Sequence, residues 1–162
     1  MTTFMALIAG VVIGAAAMAL LIAKIMPSKM VVTEASDLGF DETVTALQDG
    51  IAKAGWTSPV TINFNHAFAR QGVDLKPRVT IVELCKAQYA KDVLETDRFV
   101  SGIMPCSLGV WEGDDGKVYV SKMNTGMMGK LFGGNIGRVI GQNVAGDELS
   151  ILAGIAVEPA CS

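Results

Sequence analysis

The stretch Leu108-Gly109-Val110-Trp111-Glu112-Gly113-Asp114-Asp115-Gly116-Lys117-Val118-Tyr119-Val120-Ser121 decides the fold. Leu108–Trp111 and Val118–Ser121 are rich in β-formers. Gly113–Gly116 between them carries the turn chemistry of a hairpin. Read as a four-residue loop, it pairs Glu112 with Lys117 and hence Cys106 with Met123, on one side of the sheet. A change of one residue in the loop would move Met123 to the other face.

Working outward, Met30–Thr33 reads as a first strand, Val60–Phe64 as a second and Val79–Leu84 as a third. A helix opens at Phe40-Asp41-Glu42, with Asp41 as a cap and Glu42 in the first turn. Val44, Leu47 and Ile51 recur at helical spacing, and Gly55 suits the position just beyond the end. Asn65 is placed to cap a short helix, His66–Gln71, stopped by Gly72. Ala87–Leu94 reads as another helix, and the Gly-rich apolar tail Met127–Val157 as one or two loose helices. Strands with helices between them plus an antiparallel hairpin give an α+β class: a mainly antiparallel sheet with packed helices.

The chain holds 162 residues with net charge −3, one His, three Cys and 9 Met. Its mean hydropathy is +0.43. It is too apolar for disorder and too acidic for a nucleic-acid binder held by phosphate contacts. The apolar excess is local. Phe4–Ala23 carries no charge, and a helix of that length would cover roughly the 30 Å hydrocarbon core. The expectation is an N-terminal transmembrane helix, with residues 1–29 as anchor and linker and 30–162 as one compact domain. Gly10 and Gly14 form a GxxxG within it. Lys24 and Lys29 favour a cytoplasmic domain, but two lysines are a small asymmetry. The signal-anchor character of the segment and the Cys pair favour a single-pass membrane protein with its domain on the extracytoplasmic face.

The string Phe40-Asp41-Glu42-Thr43-Val44, followed by Ala54-Gly55-Trp56, resembles the opening of the domain of unknown function 302 family. His66 stands where that family often has His, before Gly72 and Val73–Pro77, and Asp115–Val120 is similar to its hairpin. The resemblance covers about Val31 to Met123. It implies a compact α+β domain that often pairs as a dimer, and it implies no activity. Many members carry a Gly-Asn-Pro turn after the third strand. Here Glu83-Leu84-Cys85-Lys86 and Met104-Pro105-Cys106 stand instead, which resembles a cysteine-bearing, membrane-anchored branch.

Cys85 ends the third strand and Cys106 begins the fourth, so neighbouring antiparallel strands would bring them to one sheet edge. Met123 joins them in the register above, with His66, Glu83 and Met104 as neighbours. Four readings compete. The cysteines are small core residues; they form a structural or redox disulfide; they hold a soft metal or non-covalent haem; or one is a nucleophile with His66 as base. Thiolate and thioether ligands suit Cu(I), and a Cys/His/Met set suits copper or haem iron. Zinc would want four ligands. Met123, Met127 and Met128 are a further soft-ligand candidate, and Cys161 is a terminal thiol without an assigned role.

There is no P-loop, CxxC, CxxCH, HExxH or GxSxG. No catalytic residue is assigned, and Asp114 and Asp115 read as a turn. The leading expectation is a membrane-anchored, non-enzymatic accessory protein. It would bind copper or haem through Cys85 and Cys106, with Met123 and His66 as cofactor neighbours, for electron transfer or sensing. The alternative is an oligomerising module whose cysteines pack or cross-link. The expected partners are the membrane and a homo-oligomer or membrane-complex subunit, with no nucleic acid.

Overall fold

The computed structural model describes residues 2–155 and 157–159, and within the first helix the side chains of 10–21, 23, 24, 26, 29 and 30. Cys161 lies outside the described residues. The elements run α1 (Thr2–Met30), β1 (Val31–Ser36), α2 (Phe40–Lys53), β2 (Thr61–Asn63), α3 (Phe64–Ala69), β3 (Val79–Leu84) and α4 (Ala87–Leu94). A 3-10 turn over Arg98–Ile103 leads to β4 (Cys106–Glu112) and β5 (Val118–Met123). Then come α5 (Thr125–Phe132), α6 (Gly134–Arg138), a π-helical turn over Val139–Val144, α7 (Ala145–Leu152) and β6 (Val157–Pro159).

The strands form one sheet in the order β2-β3-β4-β5-β1-β6, and every pairing is antiparallel. The α+β class is as expected, and β3 and α4 fall on their expected bounds. One face of the sheet is buried: Val82 and Leu84 on β3, Leu108 and Val110 on β4, Val118 and Val120 on β5. Against it pack Phe40, Leu47 and Ile51 of α2 and Ile151 and Leu152 of α7. Alternation in the strands and three-to-four spacing in the helices therefore meet in one core. The N-cap of α2 is Gly39, two residues before the expected Asp41, and the Glu42 carboxylate accepts from the Gly39 amide at 3.2 Å.

Three local expectations are corrected. The hairpin loop is tighter than four residues. The Gly113 amide donates to the Lys117 carbonyl at 2.9 Å, and Gly116 takes φ +78°. Asp114, Asp115 and Gly116 thus make a three-residue loop whose last position needs a left-handed backbone. Glu112 consequently faces Val118, and Leu108 faces Lys122. The ladder is one step out of the expected register, so Met123 projects from the face opposite Cys106. Asn63 rather than Asn65 caps α3, accepting from the His66 amide at 3.0 Å. Asn65 instead ties the following loop down, donating to the Leu75 carbonyl at 2.8 Å and accepting from the Val79 amide at 3.0 Å.

The Gly-rich tail is also more regular than expected: four consecutive helical segments cover Thr125–Leu152. Glycine allows their close crossing. A Cβ on Gly129 would lie 2.3 Å from the Gly141 Cα, and one on Gly50 would lie 2.5 Å from the Ile151 carbonyl oxygen. Backbones touch there, between α5 and the π-helical turn and between α2 and α7.

The membrane anchor is corrected as well. Among the described residues no helix is long and apolar enough to cross a membrane. The single-pass localisation and the extracytoplasmic placement lapse with it. The end of α1 is instead tied to the sheet domain: the Asn124 amide nitrogens donate to the carbonyls of Met30 at 2.8 Å and Lys29 at 3.0 Å.

Candidate functional site: an apolar cavity with two thiols

The site begins where β3 runs out. Leu84 faces Cys106 in the β3–β4 ladder. Cys85, one residue on, leaves that ladder and pairs with Thr57 in an isolated antiparallel bridge. Its amide donates to the Thr57 carbonyl at 2.8 Å, and its carbonyl accepts from the Thr57 amide at 2.9 Å and hydroxyl at 3.0 Å. Thr57 follows Gly55, whose φ of +73° turns the chain out of α2. Both cysteines are half-buried free thiols.

They open onto one cavity of about 340 Å³ between the sheet end, α4, α5 and the π-helical turn. Met30, Met104, Met123 and Met128 also line it, so four methionines share the cavity with the two cysteines. Met123 reaches it from the strand end, 37% exposed, despite its position on the other face. Met127 lines a separate Gly-rich groove with Lys130 and Arg138. His66 is exposed on α3 and Glu83 sits on β3, and neither lines the cavity. The structure therefore brings Cys85, Cys106, Met104 and Met123 together and leaves His66 and Glu83 apart.

Two ion pairs escaped the sequence reading. Lys122 Nζ lies 2.8 Å from Glu148 Oε2, with side-chain exposures of 14% and 4%. Thr125 Oγ1 donates to the same carboxylate oxygen at 2.8 Å. Lys86 Nζ lies 2.8 Å from Asp147 Oδ2, which also accepts from Trp56 Nε1 at 2.9 Å. The Lys86 ammonium sits 4.6 Å from the Tyr89 ring centroid, and Trp56 meets Tyr89 edge-on at 5.7 Å. The one available signal was acid in an apolar tail: Asp147-Glu148 stands just before Leu149, Ile151 and Leu152. Its partners lie 26 and 61 residues away, beyond any local pattern.

These groups set the thiol chemistry. Burial first, then the charge of Glu148 and the proximity of Cys85, push the Cys106 thiol up to about 11, with Lys122 opposing. Cys106 is protonated at neutral pH, so it is a poor nucleophile. Hydrogen bonding to Asp147 leads the causes that raise Lys86. Burial works against ionisation of Asp147, but Lys86 and Trp56 outweigh it and hold the carboxyl below its usual range. Among the described residues no group of three or more His, Cys, Asp and Glu is gathered to hold a metal ion. A four-ligand zinc centre is therefore not assembled from them.

Comparison with known proteins agrees with the fold. A 59-residue segment is 32% identical to an uncharacterized protein of Aquifex aeolicus (strain VF5), covering 36% of this chain and 41% of that one. The matched segment thus spans under half the length of that relative. The crystal structure of an uncharacterized conserved DUF302 protein from Bacillus stearothermophilus superposes with a TM-score of 0.68 at 19% identity, over 78% of this chain and 98% of that one. At that identity the likeness speaks to the fold alone. The pattern of DUF302, a domain of unknown function, matches residues 31–145, and with the same sheet-and-helix architecture around it the chain belongs to the DUF302 family.

Proposed function

We propose that this protein is a binding protein for a soft metal ion, Cu(I), held between the thiols of Cys85 and Cys106. The observation that carries the reading is the convergence of both thiols on one apolar cavity that four methionines also line. Soft thiolate and thioether ligands select Cu(I) over harder ions. The absence of a three-member His/Cys/Asp/Glu group among the described residues favours this set over zinc. His66, on the exposed side of α3, takes no part.

Binding requires both cysteines to give up their protons, since the thiolate is the ligand. Two thiolates around one monovalent cation leave a net negative charge. Lys122 lowers the Cys106 thiol, but its partner Glu148 raises it more, so metal binding itself has to drive the deprotonation. The methionines supply neutral donors and exclude water. Nothing in this arrangement asks for a nucleophile, and the raised Cys106 thiol argues against one. Non-covalent haem is the weaker form of the reading, because the only His is outside the cavity.

The test is Cu(I) titration of the reduced protein against a competing chelator, with elemental analysis. One copper per chain is expected, lost in Cys85→Ala and in Cys106→Ala. Absence of binding in the folded wild type, or full retention in both variants, overturns the proposal.

A further inference from the structure

One ion between two sulfurs needs only a small part of a cavity of about 340 Å³. That volume falls within the range of small-molecule sites, roughly 300–1,000 Å³. We propose that the same cavity takes a neutral, ring-bearing apolar small molecule. This inference goes beyond the copper reading and does not depend on it.

The walls define the ligand. Besides the cysteines, Trp56, Tyr89, Val93, Met128, Ile140 and Val144 line the cavity. Trp56 and Tyr89, which meet at 80°, make part of the wall aromatic. Methionine sulfur favours aromatic partners, and its flexible chain adapts to ring shape. Water gains little there, because a held water needs two to four polar partners and these side chains are mostly apolar. Displacing such water with an apolar group favours binding.

Charge settles the class further. The two cations on the lining, Lys86 and Lys122, are each paired at 2.8 Å with a carboxylate, Asp147 and Glu148. An anionic head group would have to break one of these pairs, and a cationic one would face two lysines. A neutral ligand meets neither cost. The ligand's body, rather than a charged head, therefore carries recognition.

The test uses the reduced full chain and the neutral fluorogenic probe N-phenyl-1-naphthylamine, with anilinonaphthalene sulfonate as its anionic counterpart. Saturable one-to-one enhancement is expected for the neutral probe, with affinity for the anionic one weaker by about tenfold or more. Ala90→Trp on α4 and Met104→Trp ahead of β4 each project bulk into the cavity from half-buried positions. Each variant that keeps the wild-type circular dichroism should weaken the probe by about tenfold or more. Cys85→Ser/Cys106→Ser should bind the probe within about threefold of wild type while copper binding is lost, which separates the two proposals. No saturable binding, equal affinity for both probes, or binding untouched by whichever tryptophan variant folds would overturn the inference. The last outcome would assign the signal to exposed apolar side chains such as Val11, Ile13 and Leu20 of α1.

Discussion

Lys122 and Glu148 form an ion pair at 2.8 Å on the cavity lining, the carboxylate side chain only 4% exposed. Lys122 comes from β5 opposite Leu108, and Glu148 from α7, so the pair joins the sheet to the last helix. Removing one member strands a buried charge. Lys122→Met is expected to cost about 3–5 kcal/mol in urea unfolding, and Lys122→Met/Glu148→Leu distinctly less. A double variant as unstable as the single one would show that the pair does not act as a unit.

The Cys106 thiol titrates near 11, chiefly because it is buried. Its alkylation by iodoacetamide, followed by mass spectrometry of the Cys106 peptide, is expected to be slow at pH 7. It should quicken about tenfold per unit of pH until the thiol ionises. A fast, pH-independent reaction at neutrality would contradict the burial that sets this value.

Gly129 and Gly141 have no room for a side chain between them. Gly129→Ala is expected to destabilise by about 1–3 kcal/mol, since backbone rather than a flexible side chain stands in the way. Gly146, at an exposed position of α7, meets nothing within 4 Å. Gly146→Ala is expected to stabilise by about 0.5–1 kcal/mol through helix propensity and a less flexible unfolded chain. Chemical denaturation of both variants gives the comparison, and equal effects would dissolve the contrast.

The Lys86–Asp147 pair gives stability a definite pH dependence. The Asp147 carboxyl is depressed, so its contribution is present above the ordinary carboxylate range and disappears as pH falls through the folded value. The Lys86 ammonium is raised above 10.5, so its contribution is present below that value and disappears as pH rises through the folded one. Asp147→Asn should lower the melting temperature at pH 7, and the deficit should shrink towards pH 2. A deficit that grows in acid would reverse the assigned direction. The pair is partly exposed, so the effect at pH 7 is expected to stay near or under about 1 kcal/mol.

Local pattern was enough for the elements whose periodicity is strong. Val79–Leu84 alternates and Ala87–Leu94 does not, and both were legible because each buries one side of a regular structure. The same logic brought Cys85 and Cys106 to one end of the sheet, since consecutive antiparallel strands with a helical excursion between them must begin and end together. The hairpin was legible from Gly113–Gly116, but its register was not. Whether Gly116 closes a three- or a four-residue loop depends on which amide pairs with which carbonyl, and that choice alone decided the face of Met123.

What only the tertiary structure decided is the chemistry around the thiols. Glu148 finds Lys122 across 26 residues of chain, and Asp147 finds Trp56 across 91. Neither pairing has a local signature, because the interactions exist only once α7 has packed on the sheet. Glycine count announced the tail without saying how Gly129 and Gly141 would cross. His66 was placed near the thiols by residue type and put on an exposed helix by the fold. Composition and periodicity determined which residues seek burial; the long-range contacts, each requiring two distant segments to meet, decided which cavity the buried sulfurs share.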